Sequence, residues 1–286
     1  LSITTRFHSK YRFNKDKTAI RASAGMGRRT SNPLAQNQFL FASGRAFNFV
    51  FTDPSLAYGL EQEVAINSGV SFEHEFRLGY MPATIGVDYF NTTFMQEVVI
   101  DRETAGEASF YNMKNGTRAN SIQAQLDLTP ARRTEIRIAY RMFDVQSKYR
   151  FTSPLMSQVL AKPFISKHRA FINVTQRTRN DWQFSSTATW YGPQRIAGKY
   201  ERIVNTNAPV YSPHFFLINA QVSKTFKKQF EVYVGAENIL NYTQENPIQE
   251  AANPFSQNFD AGLVYGPIFG RMMYGGFRWR LKGKSE

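Results

Sequence analysis

The sequence predicts an all-β fold in which long antiparallel strands cross a lipid bilayer as an up-and-down barrel. Three observations predict it. Apolar and polar residues alternate in about eleven segments, these segments are about ten residues long, and the connections between them are alternately very short and long. Alternation with period two indicates strands with one apolar face. Ordinary strands average about five or six residues, whereas about ten tilted residues are needed to cross a bilayer.

The alternating segments follow one another along the whole chain, and no helical periodicity competes with them. In one segment, Ile136, Ile138 and Tyr140 alternate with Glu135 and Arg137. The predicted strands cover residues 3–13, 18–25, 64–76, 83–90, 121–128, 135–142, 168–177, 182–190, 216–223, 230–237 and 271–281.

The connections alternate strictly in length along the chain. The short ones are 14–17, 78–82, 129–133, 178–181 and 227–228, and the long polar ones lie near 28–62, 102–117, 152–165, 192–211 and 241–267. In an antiparallel sheet this order places every tight turn at one end and every long loop at the other. Outer-membrane barrels have short periplasmic turns and long extracellular loops. A soluble β-sandwich with Greek-key crossovers has no reason to sort its loops in this way.

Aromatic residues on the apolar face concentrate near the short turns. Each of them alone is typical of a protein core, but together they favour the interfacial girdle of a membrane barrel. The six are Phe13, Phe76, Trp182, Phe226, Phe230 and Trp279.

Composition and motifs exclude several other classes. The chain has no cysteine, so disulfides and thiolate chemistry are excluded, and its four histidines show no metal-ligand spacing. The net charge of +13 is spread over strands and turns rather than gathered in one run, which argues against a nucleic-acid partner. No nucleophile elbow, phosphate loop, dinucleotide fingerprint or zinc-protease motif is present. The sequence therefore predicts neither an enzyme, nor a metal site, nor a cofactor. No apolar run reaches the roughly 18 residues that a transmembrane helix needs.

Three segments carry a resemblance to a known family. They are "RASAGMGRRTSNP" (21–33), "GAENILNYTQENPI" (235–248) and "YGPIFGRMMYGGFRWRL" (265–281). They resemble the C-terminal part of the β-barrel of TonB-dependent outer-membrane receptors, in the version typical of Bacteroidetes. In the first segment Arg28 stands where an aromatic residue is usual. The last resembles the barrel assembly signal through Gly276, Trp279 and Leu281, although "KGKSE" follows it.

The resemblance implies a function and a set of partners. Such receptors bind a scarce nutrient at their outer loops, and the TonB complex opens a path past a plug domain by using the proton-motive force. Their cargoes include ferric siderophores, haem, cobalamin and glycans. The resemblance thus implies outer-membrane lipid, TonB and a small-molecule or glycan ligand as partners. A passive porin, a barrel phospholipase and a soluble carbohydrate-binding sandwich are the alternatives that the residues leave open.

Strand direction predicts that residues 1–286 are about half of the barrel. Strands 3–13 and 271–281 run the same way, so direct closure would pair them in parallel, whereas bacterial barrels have even numbers of antiparallel strands. Open edges in hydrocarbon would leave backbone groups unpaired at several kcal/mol each. We therefore expect about 11 of 22 strands here, with the remaining strands and the plug domain encoded upstream.

Two groups of residues are candidates for function. Charged residues on the polar face are expected to face the plug or the lumen, or simply to solvate a polar interior: Arg21, Asp88, Glu135, Arg137 and Arg141. Residues of the long loops offer stacking and anion-binding groups to a ligand, although ordinary loop packing would also explain them: Tyr191, Arg195, Tyr200 and Tyr211.

Loop lengths predict the pattern of proteolysis on intact cells. Added protease should cut within 28–62, 192–211 or 241–267, because long polar loops are the exposed and mobile sites. The short turns at 14–17 and 129–133 should stay intact until the outer membrane is permeabilised, as mapped by mass spectrometry of the fragments. Cleavage of those turns on intact cells, with the long loops spared, would invert the topology.

Overall fold

The computed structural model describes residues 4–104, 106–150, 157–203, 206–227 and 229–280, without the side chains of 199–203 and 206–209. Within them, no helix is long and apolar enough to cross a membrane. A four-residue helix α1 (Pro33–Gln36) and two 3-10 helices (Gln38–Ala42 and Ala57–Gly59) lie in the first long connection. The described strands are β1 (Arg6–Phe13), β2 (Thr18–Arg29), β3 (Ala46–Phe49), β4 (Glu63–Leu78), β5 (Met81–Asp101), β6 (Glu107–Ala131), β7 (Thr134–Arg150), β8 (Ser157–Ala161), β9 (His168–Arg177), β10 (Trp182–Tyr191), β11 (Arg195–Ile203), β12 (Thr206–Tyr211), β13 (Phe215–Phe226), β14 (Phe230–Glu237) and β15 (Met272–Trp279).

One antiparallel sheet forms the body of the structure. Its strands follow the order β1-β2-β4-β5-β6-β7-β9-β10-β13-β14-β15, so each strand pairs with the next long strand in the sequence. These eleven strands correspond to the eleven predicted segments, and the all-β antiparallel prediction is confirmed. β1 and β15 are the two ends of the described sheet and pair with β2 and β14, respectively. The sheet of this chain is therefore open.

The register separates the sheet into an apolar face and a polar face. Residues directly opposite each other on neighbouring strands share a face, and their side chains contact one another. One row of such partners on the apolar face consists of Ile85, Leu126, Ile138, Ile172, Ala188 and Ile218. The adjacent row on the polar face consists of Glu75, Thr84, Asp127, Arg137, Asn173, Thr187 and Asn219. This is the alternation expected of strands between lipid and an aqueous lumen.

The short turns lie at one end of the sheet, beside the aromatic residues. The β1–β2 turn holds Asn14, Lys15 and Asp16 with φ of 54°, 54° and 65°, a left-handed conformation that Asn and Asp tolerate better than most residues. Near the β9–β10 turn, the Lys224 ammonium lies 5.3 Å from the Trp182 ring centroid and donates to the Asn180 carbonyl. Lys224 thus keeps its charge at the turn although its stem lies on the apolar face.

The prediction of a long polar loop near 102–117 is wrong. β5 continues to Asp101 and β6 begins at Glu107, so only 102–106 connect them. The two strands extend this far because both faces of their ends are covered. Val98 and Phe110 pack with the buried Leu40 and Leu60 of the first long connection. Tyr111 and Met113 pack with β7 and β8 residues, including Tyr149 and Leu160.

Three other long connections contain short strands that the sequence did not indicate. β3, in 28–62, pairs in parallel with the start of β6. β8, in 152–165, pairs with the end of β7. β11 and β12, in 192–211, form a separate two-stranded sheet. Among the described residues, β3 and β8 thus extend the main sheet at its long-loop end, whereas β11 and β12 pair only with each other.

The two adjacent rows predict opposite tolerance to substitution. Ile138→Arg should destabilise the assembled barrel by about 2–4 kcal/mol, because it places a charge on the lipid face near the midplane. Arg137→Ile should cost no more than about 1 kcal/mol, because Arg137 forms a largely solvated ion pair with Asp127 (Nε to Oδ1, 2.5 Å). Heat-modifiable gel mobility of the full-length protein measures the assembled fraction, and equal losses for the two variants would refute the face assignment.

Candidate functional site

The five predicted lumen-facing residues lie on the polar face. Three of them form ion pairs with neighbouring strands: Arg21 with Glu73 (3.6 Å), Arg137 with Asp127 (2.5 Å) and Glu135 with Arg177 (2.5 Å). Asp88 on β5 and Arg141 on β7 are both opposite Gln123 on β6, so these three residues form one row across the sheet. The Arg141 guanidinium lies 4.7 Å from the Phe143 ring centroid. A contact with a plug domain stays a prediction for all five.

The four predicted ligand residues are not gathered at one point. Tyr191 lies at the end of β10, stacks on Phe215 (4.9 Å between centroids) and accepts a hydrogen bond from Arg169 (2.8 Å). Tyr211, at the end of β12, is half-exposed and opposite Arg195. Tyr200 belongs to β11, but its side chain lies outside the described residues. The ligand contacts of these residues stay predictions.

Arg195 is the most deeply buried of the four, and its surroundings define the candidate site. Its side chain is 0% exposed and forms a bidentate pair with Glu103, 3% exposed, at 2.9 and 2.7 Å. Nε donates to the Ala161 carbonyl (2.5 Å), and the guanidinium lies 5.3 Å from the Tyr149 ring centroid. Planar bidentate geometry is what allows an arginine to be buried with a carboxylate. Arg195 therefore joins the β10–β13 connection to the β5–β6 tip and to β8.

Arg102 is a second buried arginine in the same region. Its guanidinium lies between two aromatic rings, 4.7 Å from the Phe39 centroid and 4.9 Å from the Phe164 centroid. Burial lowers the pKa of Arg102 to about 10, while the nearby Asp260 and Glu103 carboxylates act in the opposite direction. The group stays protonated at neutral pH. It thus holds the first and third long connections against the β5–β6 tip through cation–π contacts.

Arg45 completes a set of three arginines. Its Nε donates to Asp260 Oδ2 at 2.7 Å, and both side chains are buried. A second nitrogen donates to the carbonyls of Thr104 (3.0 Å) and Glu107 (2.8 Å). Asp260 belongs to the β14–β15 connection, which also contacts the first connection through a bridge from Ser43.

We call this set, Arg45, Arg102, Arg195, Glu103 and Asp260, the arginine cluster. Its members and contacts come from all five connections at the long-loop end of the sheet. Burial also raises the pKa of Asp101 beside the cluster, and hydrogen bonds from the Glu103 amide and the Tyr111 hydroxyl oppose that rise. Gly198 is fitted closely to the cluster: its φ is +67°, and a Cβ there would come within 2.7 Å of the Arg102 carbonyl oxygen.

A cavity of about 340 Å³ opens beside the arginine cluster. Phe39 and Phe164 line it together with Arg102. Two further ion pairs also line it: Arg29 with Glu63, whose Nε–Oε2 distance is 2.8 Å, and Lys162 with Glu97, at 3.1 Å. The cavity thus offers aromatic faces and charge-compensated polar groups, which suit hydrogen bonding and stacking with a ligand.

Sequence reasoning missed most of these residues. Arg102, Glu103, Lys162 and Asp260 lie in stretches that read as polar loops, and no local pattern marks them. Arg195 was a candidate because it lies in a long loop, but its carboxylate partner is 92 residues away. Only the charged residues of the polar face could be found from the local sequence, because their alternation with apolar residues indicates which face they occupy.

A family model described as TonB dependent receptor-like, beta-barrel, matches residues 2–239. The chain belongs to this family. TonB-dependent receptor barrels are outer-membrane proteins, and this family membership agrees with the open antiparallel sheet and its apolar face. Family membership also decides against the soluble sandwich. The Bacteroidetes-type assignment stays a prediction.

Solved structures of such receptors share the fold. A ferric enterobactin receptor (PfeA) mutant from Pseudomonas aeruginosa is 14% identical with a TM-score of 0.63, over 96% of this chain and 40% of that one. The copper transporter OprC is 14% identical with a TM-score of 0.62, over 96% and 39%. The ferric-catecholate import receptor Fiu from E. coli K12 is 11% identical with a TM-score of 0.60, over 96% and 34%. The chain thus spans between a third and two fifths of these receptors. No curated protein matches the sequence.

The arginine cluster predicts a local effect of removing one charge. Glu103→Gln should destabilise the loop assembly by about 3–5 kcal/mol, because it removes the carboxylate of a buried pair. Hydrogen exchange of 192–198 and 157–165 in the full-length protein should accelerate. The strands of the main sheet should keep their protection at the short-turn end. The matched control is Asp127→Asn, which breaks the solvated pair with Arg137 (34% and 53% exposed) and should leave loop exchange unchanged. Unchanged loop exchange in Glu103→Gln would refute the role of the cluster.

Proposed function

We propose that this chain is the C-terminal wall and outer mouth of a receptor that imports a scarce nutrient with energy supplied through TonB. The observation that carries the proposal is the family match across the sheet. We further propose that the missing part of the barrel supplies about as many strands again, together with the plug domain and the TonB contact. Eleven strands in an open antiparallel sheet support this, since barrels of this class close with even numbers.

The polar face is the proposed plug and lumen surface. Arg21, Glu135 and Arg137 are already paired across neighbouring strands, so their net charge is largely compensated. Such pairs can donate and accept hydrogen bonds with a plug without leaving isolated charges. We assign Asp88 and Arg141 to the same surface.

The proposed cargo is a ferric siderophore, haem, cobalamin or a glycan. Among the proteins of similar structure, one is a ferric-catecholate import receptor and another is a copper transporter. We propose that cargo contacts come from the long-loop end, through Tyr191, Tyr200, Tyr211 and the cavity beside the arginine cluster. Arg195 is proposed to act there through the Glu103 pair, which holds the mouth in place.

Growth and uptake test the proposal. A deletion strain should fail on one member of a panel of single iron, cobalamin and glycan sources, and the full-length gene should restore growth only when TonB is present. Growth on every source, or rescue that is independent of TonB, would contradict an energised receptor and favour a passive porin.

Two tyrosine substitutions, one at each end of the sheet, test where the cargo binds. Tyr211→Ala should raise the half-saturating cargo concentration about threefold to tenfold, as expected for one lost aromatic contact. Tyr211 is 51% exposed at the long-loop end, and the matched control Tyr80→Ala removes a fully exposed tyrosine from a short turn. The control should leave uptake unchanged. Equal effects of both substitutions would argue against cargo binding at the long-loop end.

A further inference from the structure

The cavity beside the arginine cluster lies on the polar face of the sheet. Arg29, which lines it, is on the same face as Arg21, because β2 pairs with β4 without a register shift. Glu97 reaches this face as well, since its carboxylate accepts a hydrogen bond from Thr117, and Thr117 is opposite the polar-face residue Ser147. The cavity is therefore the long-loop end of the polar face.

The two ion pairs of the cavity turn their cations outward and their carboxylates inward. The side chains of Arg29 and Glu63 are 62% and 9% exposed, and those of Lys162 and Glu97 are 44% and 4% exposed. Elsewhere on this face, three carboxylates stay at least 34% exposed although each pairs with an arginine: Glu73, Asp127 and Glu135. The asymmetry is thus not a general property of ion pairs on this face.

Hydrogen bonds show why the two carboxylates are not available to a ligand. One oxygen of Glu63 accepts from Nε of Arg29 (2.8 Å) and from a second guanidinium nitrogen, and the other accepts from a backbone amide of β5 (3.3 Å). The oxygens of Glu97 accept from Lys162 (3.1 Å) and from Thr117. Each carboxylate oxygen therefore already has a donor within the protein.

The two cations, by contrast, still have hydrogen-bond donors without a partner. An arginine side chain carries five N–H donors and a lysine side chain three. Arg29 uses two of its five for Glu63, and Lys162 uses one of its three for Glu97. Three guanidinium donors and two ammonium donors thus have no bonded acceptor within the described residues. Apart from Arg102, the other side chains that line the cavity are neutral. The charged groups that a ligand can reach are therefore donors and not acceptors.

We propose that this cavity binds an oxyanion group of the cargo, and that the cargo of this receptor is therefore acidic. The inference rests on the receptor function proposed above. An oxyanion accepts several charge-assisted hydrogen bonds at once, which matches the remaining donors of Arg29 and Lys162. The buried Arg102 adds positive charge to the same wall. A volume of about 340 Å³ is near the lower limit for ligand sites, so the cavity fits one acidic arm of a larger cargo.

Matched acidic and neutral probes test the charge of the cargo on the purified full-length receptor. The pairs are a ferric tris-catecholate and a ferric tris-hydroxamate, haem and its dimethyl ester, a cobalamin monocarboxylate and cobalamin, and an oligogalacturonide and its methyl ester. Titration calorimetry measures each affinity. In the pair that the receptor recognises, the acidic member should bind at least about tenfold more tightly, as expected for hydrogen bonds to a charged group. Equal or tighter binding of the neutral member, or binding of none of the acidic probes, would overturn the proposal.

Charge-balanced variants then locate the site. Arg29→Gln/Glu63→Gln and Lys162→Gln/Glu97→Gln each remove a cation together with its carboxylate, so no buried charge is left unpaired and the net charge does not change. Each variant should weaken binding of the acidic probe about tenfold and leave binding of its neutral counterpart unchanged. Heat-modifiable mobility verifies that each variant is assembled, and the comparison of probes on the wild-type receptor needs no variant.

The control variant is Arg278→Gln/Glu231→Gln, at the short-turn end of β14 and β15. The arginine is the more exposed partner there too, at 59% against 17%, so the control removes a pair of the same kind at the other end of the sheet. It should bind the acidic probe like the wild type. Wild-type affinity in either cavity variant, or an equal loss in the control, would overturn the proposal.

Growth experiments separate this proposal from the receptor function. TonB-dependent uptake of a neutral cargo would refute the oxyanion site and leave the receptor function intact. Growth that is independent of TonB would refute the receptor function and the oxyanion site with it.

Discussion

Backbone groups inside a bilayer have no water to bind, so each N–H and C=O must find a partner within the protein. The rest of this structure depends on that constraint. In the described part of the chain, the eleven strands that pair in sequence meet it with antiparallel ladders, and the ladders leave only side chains to distinguish the two faces. A slip by one residue would move every side chain of a strand to the other face. The register of each strand therefore also decides which of its side chains lie on the apolar face, as the neighbouring residues Ile138 and Arg137 illustrate.

A different constraint acts where the strands leave the membrane. The long connections must cover the extended ends of β5, β6 and β7, and they do so with two small apolar clusters and three buried arginines. A buried guanidinium needs a carboxylate or aromatic partner, and Arg45, Arg102 and Arg195 find theirs on other connections. These contacts therefore hold the long connections together within this chain. Under the proposed receptor function, a preassembled mouth would lose less conformational entropy on binding cargo than separate mobile loops would.

The pairing and the solvent exposure of charged residues differ between the polar face and the long connections. On the polar face, several charges are paired and half-exposed, as in Arg137 with Asp127. In the loop assembly they are paired and buried, as in Arg195 with Glu103. Charged residues of the same types thus stabilise a polar interior or a folded loop assembly, according to their surroundings in the structure.

The sequence by itself determined the strands, their faces and the sorting of turns and loops, because alternation and turn chemistry are local properties. β9 and β14 begin and end at the predicted residues, and the ion-pairing face of Arg21 and Glu135 follows from phase alone. Only the tertiary structure decided the rest. The stretch 102–117 reads as a polar loop but is mostly strand, since the connections that cover it come from distant parts of the chain. Arg195 and Glu103 are separated by 92 residues, and Arg45 and Asp260 by 215, so no local pattern could pair them.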